Sequence, residues 1–361
     1  MVEQEVIVFL YITADQIGKK SGGGSVTYHE QFALTELAGQ QGSCVVPVSV
    51  DHTQSPKNPF EQDQEILQRV KDACKYDHPT LAHCYAGCLT ETIAYLKSLG
   101  CKVVYTAAAH NVGLSMQEHE KLGVPFDYPH LIEPKLWKQY LGGYQNADVL
   151  VCPSTHSADV MRMYDCEQRI EIIPHGCYLP ETIKPLPATF VVGYLGAYGP
   201  DKGVRYLLEA WKKLAYKDAV LMLGGRDSTS PYVRQLIEQF GGGNIWCRGW
   251  IDNAEDFYND CSLYVQPSVT EGFGMEVLEA MSCDREVVCS AGVGSVDLLD
   301  REEWAYDATD SAALCLQISH CYGRHKCGDW IESEYNCKRA KLYTWDKIQI
   351  RYCKLWLEVL G

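Results

Sequence analysis

The sequence predicts a two-domain α/β protein in which each domain is a mostly parallel sheet covered by helices on both faces. Its 361 residues exceed one ordinary core and suit two domains of roughly 150 residues each. Short apolar, β-branched runs alternate with amphipathic segments, a pattern typical of βαβ units with doubly buried strands. The stretch TIKPLPATF separates two sets of such runs, and Pro185 and Pro187 exclude a regular helix there.

The apolar runs predict six strands in the first half of the chain and five in the second. The predicted strands are residues 5–12, 44–50, 80–83, 102–106, 149–152 and 170–173, then 190–195, 219–223, 244–247, 262–266 and 286–289. Apolar residues at helical spacing in residues 344–360 predict a closing helix. We therefore expect domains at residues 1–184 and 185–343, followed by a C-terminal helix at 344–361 that packs back on the first domain.

Composition and charge narrow the function classes. Hydrophobic residues make up 46% of the chain and charged residues 22%, which predicts a packed globular protein. The net charge of −15 argues against a nucleic-acid surface, because phosphate binding needs a basic stripe. No run approaches the ~18 apolar residues of a membrane span, and the N-terminus is too acidic for a signal peptide. We expect a cytoplasmic protein with at most peripheral membrane contact.

The cysteines do not indicate a disulfide framework or a metal centre. The chain has 17 of them, an odd number at irregular spacing in a large protein, which favours reduced thiols. One cluster mixes the two ligand types of zinc: Cys315, His320, Cys321, His325, Cys327 and Cys337. Because this cluster lacks a CxxC pair, we predict no metal site there.

A glycine-containing loop follows the strand predicted at residues 262–266 and leads into an apolar helical pattern. Gly272 and Gly274 let the backbone approach an anion, and a helix N-terminus favours negative charge. Glu271 and Glu279 bracket the loop and place two acceptors where sugar hydroxyls can be held. The segment indicates a site for a diphosphate and a sugar; a tight turn with helix-capping acids is the alternative.

A second loop joins the strand predicted at residues 190–195 to a strongly amphipathic helix. Lys202 precedes Gly203 at the entrance of that helix, where a lysine adds a positive charge suited to phosphate. Taken alone, an exposed lysine beside a turn is the simpler interpretation.

The first half of the chain offers weaker signals. Three glycines at residues 22–24 stand between the first strand and a helical pattern, where doubly wound folds approach ligands, although a flexible loop fits equally. They do not complete a GxGxxG, and no GxxxxGK[ST] occurs, so a dinucleotide fingerprint and a P-loop are not predicted. His83 and His110 lie at the ends of buried strands, where each is also consistent with a structural histidine.

Together these segments resemble the retaining glycosyltransferase family 4, which has the GT-B fold. The most specific element is the EX7E motif, here Glu271-GFGMEVL-Glu279, within the pattern PSxxEGFGxxxLEAM. The loop around Lys202, ADVLVCPS at residues 147–154 and IIPHGC at residues 172–177 extend the resemblance over nearly the whole chain.

The resemblance implies two Rossmann-like domains that face a central cleft, with the acceptor on the side of the first domain. In the second domain, Glu279 would bind the ribose hydroxyls, and Glu271 would hold hydroxyls of the donor sugar. Lys202 would cradle the diphosphate together with the loop residues Gly272, Phe273, Gly274 and Met275.

The resemblance also implies roles in the first half of the chain. His110 would contact the transferred sugar, and Gly23 and Gly24 would line the floor of the cleft. One position departs from the family: Ala197 stands where an arginine commonly begins the phosphate loop. Arg205 and Arg226 are the candidates to compensate for that missing charge.

The implied reaction moves a sugar from a nucleotide-diphosphate sugar to an acceptor hydroxyl with retention of configuration. It requires no metal, no other cofactor and no protein nucleophile. The acceptor would be a glycan, a lipid-linked sugar or a small molecule, and neither the donor base nor the sugar can be read from the motifs.

Three other functions stay open from the residues alone. A sugar-nucleotide epimerase or hydrolase would bind the donor without transferring the sugar to an acceptor. A non-catalytic sugar-nucleotide-binding subunit would fit the missing arginine. A nicotinamide-dependent oxidoreductase fits least, because no strand is followed by a complete GxGxxG.

Overall fold

A computed structural model describes residues 8–14, 22–50, 58–75, 78–126, 128–299, 305–328 and 335–361. The chain divides into two compact units. The first comprises Met1–Ala109, Asp127–His175 and Trp345–Gly361, and the second comprises His110–Phe126 and Gly176–Thr344. The segment after Ala109 therefore packs with the second half of the chain, whereas the C-terminal helix packs with the first half.

The first unit is built on a six-stranded parallel sheet. Its strands run in the spatial order β2-β1-β3-β4-β5-β6. Their bounds are β1 Val8–Thr13, β2 Cys44–Ser49, β3 Pro79–Tyr85, β4 Lys102–Thr106, β5 Val149–Cys152 and β6 Arg169–Ile172. The helices of this unit are α1 Gly22–Gln40, α2 Pro59–Ala73, α3 Thr90–Ser98, α5 Pro129–Ile132, α6 Pro134–Asn146, α7 Thr155–Met163 and α14 Trp345–Leu360.

Helix α14 belongs to the first unit because its aromatic face is buried there. It packs against α1, β3 and β4. Tyr352 and Trp356 are 2% and 0% exposed, whereas Leu357 on the other face is 44% exposed. The helical spacing of apolar residues in this segment thus becomes an amphipathic helix with one face in the core.

The second unit contains another six-stranded parallel sheet, in the order β12-β11-β10-β7-β8-β9. Its strands are β7 Phe190–Leu195, β8 Ala219–Gly224, β9 Ile245–Gly249, β10 Leu263–Gln266, β11 Glu286–Ser290 and β12 Ala305–Tyr306. Its helices are α4 Val112–Leu122, α8 Val204–Leu214, α9 Pro231–Phe240, α10 Ala254–Asn259, α11 Met275–Ser282, α12 Ser311–Cys327 and α13 Tyr335–Ala340. The strand order reverses between β7 and β10, and open α/β sheets bind ligands at such a switch point.

The α/β prediction is confirmed, with small differences in detail. The first predicted strand starts at residue 5, but residues 5–7 lie outside the described part of the chain, and β1 is described from Val8. The short strand β12 was not predicted, because two residues carry no periodic signal. The glycines at residues 22–24 form the first turn of α1 instead of a loop before it.

Two further features of the described residues bear on function. All 17 cysteines lie in the described ranges, and none of them forms a disulfide. Within the described ranges, none of the helices combines the length and the apolar character needed to cross a bilayer.

Candidate functional site

The two loops singled out in the sequence meet at the switch point of the second sheet. Residues 196–203 follow β7, and residues 267–274 follow β10, the neighbouring strand. Because both strands are parallel, their carboxyl ends lie at the same edge of the sheet, and the two loops leave from that edge together.

The loops are in direct contact, and Gly203 makes that contact feasible. Its φ is +66°, and a Cβ at this position would stand 1.9 Å from the carbonyl oxygen of Pro267. The amide of Val269 donates a 2.8 Å hydrogen bond to the carbonyl oxygen of Asp201. A glycine is required here because any side chain would push the two loops apart.

Lys202 and Glu271 form an ion pair across these loops, from Nζ to Oε2. Their side chains are 25% and 22% exposed, so water screens the pair only in part. Burial alone would lower the pKa of Lys202, but the Glu271 carboxylate outweighs it and raises that pKa. Lys202 is therefore a fixed positive charge at neutral pH.

His110 lies in the same electrostatic environment, just before α4. Burial lowers its pKa; Asp201 and Glu271 act to raise it, and Lys202 acts to lower it. The imidazole is thus neutral at pH 7. The following amide, of Asn111, donates a 2.7 Å hydrogen bond to Oγ1 of Thr270, which fixes this segment to the loop after β10.

The loop that carries Glu271 is held by backbone hydrogen bonds on both sides. The Glu271 amide donates to the carbonyl oxygen of Gly292 at 2.9 Å, and the Gly294 amide donates to that of Glu271 at 3.0 Å. Phe273 is buried, and its carbonyl oxygen accepts a 2.7 Å bond from the Ser295 amide. The loop is therefore preorganised, which lowers the entropy cost of binding.

Helix α11 begins at Met275, directly after Gly274. Gly274 has a φ of +82° and occupies the N-cap position. Because glycine has no side chain, it does not cap the amides of the first turn. The first amides of a helix lack intrahelical acceptors, so this turn presents donors and a partial positive charge. Lys202 and this turn are the cationic elements of the site.

Two further carboxylates stand on α11. Burial raises the pKa of Glu279, whose Oε2 accepts a 2.8 Å hydrogen bond from the Tyr258 hydroxyl. Burial, together with the charges of Glu271 and Glu279, raises the pKa of Glu276 to about 7. These acceptors suit neutral hydroxyl groups, since an unscreened phosphate would repel them.

The two arginines proposed to compensate for Ala197 lie in aromatic surroundings. The Arg205 guanidinium stands 4.4 Å from the ring centre of Tyr206, and its Nη2 donates to the Tyr206 hydroxyl at 3.2 Å. Arg226 is exposed and stands 5.5 Å from the ring centre of Trp250. No described contact joins either arginine to Lys202 or Glu271.

Gly23 and Gly24 lie in the first unit, in the first turn of α1. Their surroundings are outside the described part of the structure. Among described residues, no three His, Cys, Asp or Glu side chains converge as a metal site would require.

Sequence reasoning missed four residues of this site: Glu276, Asp201, Thr270 and Tyr258. Glu276 falls inside the EX7E motif, and Asp201 precedes Lys202, so both were within reach of a motif-based argument. Tyr258 was not, because only packing brings its hydroxyl to a carboxylate 21 residues away.

Comparisons with known proteins find similarity to glycosyltransferases. Residues 189–323 match the family model of the group 1 glycosyl transferases, which spans most of the second unit. An uncharacterised glycosyltransferase of Methanocaldococcus jannaschii is 23% identical over 355 residues, covering 88% of this chain and 85% of the relative. The O-antigen chain mannosyltransferase B of Escherichia coli is 29% identical over 162 residues, or 42% of each chain.

Solved structures resemble the whole chain. Sucrose-phosphate synthase from Thermosynechococcus elongatus superposes with a TM-score of 0.75 at 18% identity, covering 98% of this chain and 99% of the other. HepE of Anabaena, solved in complex with UDP, superposes with a TM-score of 0.69 at 15% identity, and the match covers 98% of this chain and 100% of HepE. At such identities the likeness shows the fold. The chain thus has the two-domain α/β GT-B fold, and the family model and the relatives to which it is similar are those of glycosyltransferases.

Proposed function

We propose that this protein transfers a sugar from a nucleotide-diphosphate sugar to an acceptor hydroxyl, with retention of configuration and without a metal. The observation that carries the proposal is the ion pair of Lys202 with Glu271, placed beside a neutral His110 at the switch point of the second sheet. The site combines one cation with several carboxylates that can accept hydrogen bonds from hydroxyl groups. This combination matches the two halves of a sugar nucleotide, a charged diphosphate and a neutral sugar.

In the proposed complex, Lys202 and the first turn of α11 bind the diphosphate. Glu271 accepts hydrogen bonds from the donor sugar, and Glu279, oriented by Tyr258, accepts them from the ribose. His110 adds a neutral imidazole that contacts the sugar without a charge that would oppose an oxocarbenium-like transition state. HepE, which has a similar structure, is solved in complex with UDP-glucose, and one relative is named a mannosyltransferase; both support a sugar nucleotide as the class of donor.

In the reaction itself, the bond from the sugar anomeric carbon to the leaving phosphate oxygen breaks as the acceptor oxygen attacks the same face. The acceptor proton passes to the leaving phosphate, so the products are the glycoside and the nucleoside diphosphate. Lys202 stabilises the negative charge that grows on the diphosphate, which replaces the electrostatic task of a metal.

The first experiment is a thermal-shift panel of UDP, GDP and ADP with their common sugar conjugates. A ligand that binds only the folded state raises the melting temperature by mass action, so one base should stand out. No shift with any of these nucleotides, on a folded protein, would contradict the donor site.

Variants then separate the two carboxylates. Glu279→Ala should weaken nucleotide binding, while Glu271→Ala should reduce turnover more than nucleotide affinity. Glu238→Ala, an exposed glutamate on α9, is the matched control. Equal kinetics in all four proteins would refute both assignments.

Retention and metal independence have their own readouts. The anomeric configuration of the first product formed is read by proton NMR, and an inverted product would refute retention. Turnover should survive chelation with EDTA; if a divalent cation restores lost activity, the metal-independent mechanism is wrong. Nucleotide binding without turnover on any acceptor or water would instead identify a non-catalytic binding subunit.

A further inference from the structure

A second concave surface lies in the same unit, on the face of the sheet over β8 and β9. It is a groove of about 420 Å³, within the range of ~300–1,000 Å³ that is usual for small-molecule sites. Val191 and Met222 form its buried floor, and Trp246, Arg248, Asp260 and Pro187 form its walls.

The groove lies beside α10, a helix of six residues whose last residue, Asn259, is part of its lining. Met222 of β8 pairs with Gly193 of β7 on one side and Trp246 of β9 on the other. Phe257 of α10 and Cys261, two residues after that helix, pack over Gly193, where a Cβ would stand 3.2 Å from a ring carbon of Phe257 and 2.2 Å from the Sγ of Cys261. Met222 packs in one core cluster with Phe257 and Tyr258 of α10 and is buried, whereas Trp246 on the edge strand β9 is exposed.

The groove is separate from the candidate donor site. The donor loops follow the carboxyl ends of β7 and β10, whereas the groove includes Thr189 and Val191 at the start of β7. Its residues also belong to the linker, with Lys184, Pro185 and Pro187 on its rim.

The walls of the groove carry an exposed indole ring and an ion pair. The Trp246 side chain is 54% exposed, although it lines a concave surface. Arg248 lies 3.4 Å from Asp260, and both side chains are nearly half exposed, at 43% and 46%. A guanidinium donor beside a carboxylate acceptor leaves several hydrogen-bonding sites for a ligand.

These features match a neutral, polyhydroxylated ligand. A pyranose presents an apolar face of C–H groups that packs on an indole, and a rim of hydroxyls that both donate and accept. The rim cations Lys184 and Arg248 are each paired with an aspartate, Asp256 and Asp260, so the groove does not select an anion. A membrane surface fits poorly, because insertion favours a protruding apolar face and the chain carries a net charge of −15.

We propose that this groove is a non-catalytic saccharide subsite that holds a sugar unit of an oligosaccharide. The direct test is calorimetric titration of the full chain with maltohexaose, a mannohexaose and chitohexaose. At least one should bind, and Trp246→Ala should weaken that binding at least tenfold, while Trp246→Phe, which keeps a ring, should lose less.

Controls separate this subsite from the rest of the protein. Trp250→Ala removes another exposed tryptophan, 58% exposed and outside the groove, and should keep the oligosaccharide affinity. Trp246→Ala should leave the melting-temperature shift with nucleotides unchanged, which also shows that the variant is folded. Glu271→Ala should retain oligosaccharide binding, so failure of the donor site and failure of the groove give different results.

Three outcomes would overturn the proposal. One is that no oligosaccharide of the three binds to the folded chain. Another is that Trp246→Ala and Trp250→Ala bind as the parent does, or lose binding equally. The third is that the chain forms a concentration-dependent dimer that Trp246→Ala disrupts, since the groove would then be an interface between two copies.

Discussion

The indole Nε1 of Trp356 donates a 3.1 Å hydrogen bond to Nδ1 of His83, and both side chains are fully buried. This bond fixes the tautomer of the histidine. Because Nδ1 accepts, the proton resides on Nε2, which lies 3.1 Å from Oε2 of Glu30. The C-terminal helix is thus tied to the centre of the first sheet through polar contacts as well as aromatic packing.

Trp356→Phe should destabilise the first unit, because it leaves a buried imidazole nitrogen without its donor. We expect a loss of ~1–3 kcal/mol. Trp356→Ala adds a cavity, for a total of ~3–5 kcal/mol. Urea unfolding followed by far-ultraviolet circular dichroism measures both. Leu357→Ala, on the exposed face of the same helix, should change stability little, and an equal effect there would show that the hydrogen bond is unimportant.

Glu30 predicts how this unit responds to acid. Burial by itself would raise the pKa of its carboxyl, but hydrogen bonds donated by His83 Nε2, Thr106 and Tyr352 favour the carboxylate and hold that pKa below the usual value. A depressed pKa contributes stability at pH values above the unfolded-state pKa of 4.5, and this contribution is lost as pH falls through the folded-state pKa.

Glu30→Gln should therefore remove part of the loss of stability on acidification below pH 4.5, and it should be less stable than the parent at pH 7. The control is Glu36→Gln, an exposed position on the same helix, which should keep the acid dependence of the parent. Melting temperatures between pH 3 and pH 7 provide the comparison. An unchanged acid profile in Glu30→Gln would show that the buried carboxylate does not set it.

Lys202→Ala should weaken nucleoside diphosphate binding by about 10–100-fold, since a charge-assisted contact is worth ~1.5–3 kcal/mol. The matching nucleoside, which has no phosphate, should bind as it does to the parent. Lys212→Ala, an exposed lysine of α8, is the control. Titration calorimetry with both ligands decides, and equal losses for nucleoside and diphosphate would rule out a specific phosphate contact.

Glu276 should make diphosphate binding depend on pH. Burial and the neighbouring Glu271 and Glu279 raise its pKa to about 7. It is therefore mostly neutral at pH 6 and mostly charged at pH 8, where it repels the ligand. Its raised pKa also means that it favours the folded state at low pH, an effect that fades as pH rises through 7.

Glu276→Gln should bind nucleoside diphosphate more tightly than the parent at pH 8 and about equally at pH 6. Glu238→Gln controls for the loss of a distant charge. Because the parent and the variants are compared at the same pH, the ionisation of the ligand affects all of them equally. If parent and Glu276→Gln show the same change between the two pH values, Glu276 does not face the ligand.

Tyr258→Phe should lower nucleotide affinity about fivefold, because the hydroxyl that orients Glu279 at 2.8 Å is lost, at a cost of ~1 kcal/mol. Tyr322→Phe, on α12, removes a comparable hydroxyl, which donates a 2.9 Å hydrogen bond to Asp218, and this variant should leave the affinity unchanged. Nucleotide titrations on the three proteins give the answer. An unaltered affinity in Tyr258→Phe would mean that Glu279 is positioned by packing alone.

The periodic pattern of the sequence determined the α/β architecture of this protein, the identity of most strands, and the loops that carry Glu271 and Lys202. These properties are local: a strand, a glycine turn and a helix start are each encoded within about ten residues. The EX7E spacing likewise needs only one loop and the helix after it.

Tertiary structure alone decided which distant groups meet. His110 and Asn111 lie beside the loops around Lys202 and Thr270 because α4 packs in the second unit. The local sequence of residues 110–126 does not predict that packing. Trp356 donates a hydrogen bond to His83, although the two residues are 273 positions apart in the sequence. The raised pKa of Glu276 also depends on burial and on charges brought together by folding. Sequence periodicity sets each element, whereas contacts between elements depend on the packing of the whole core.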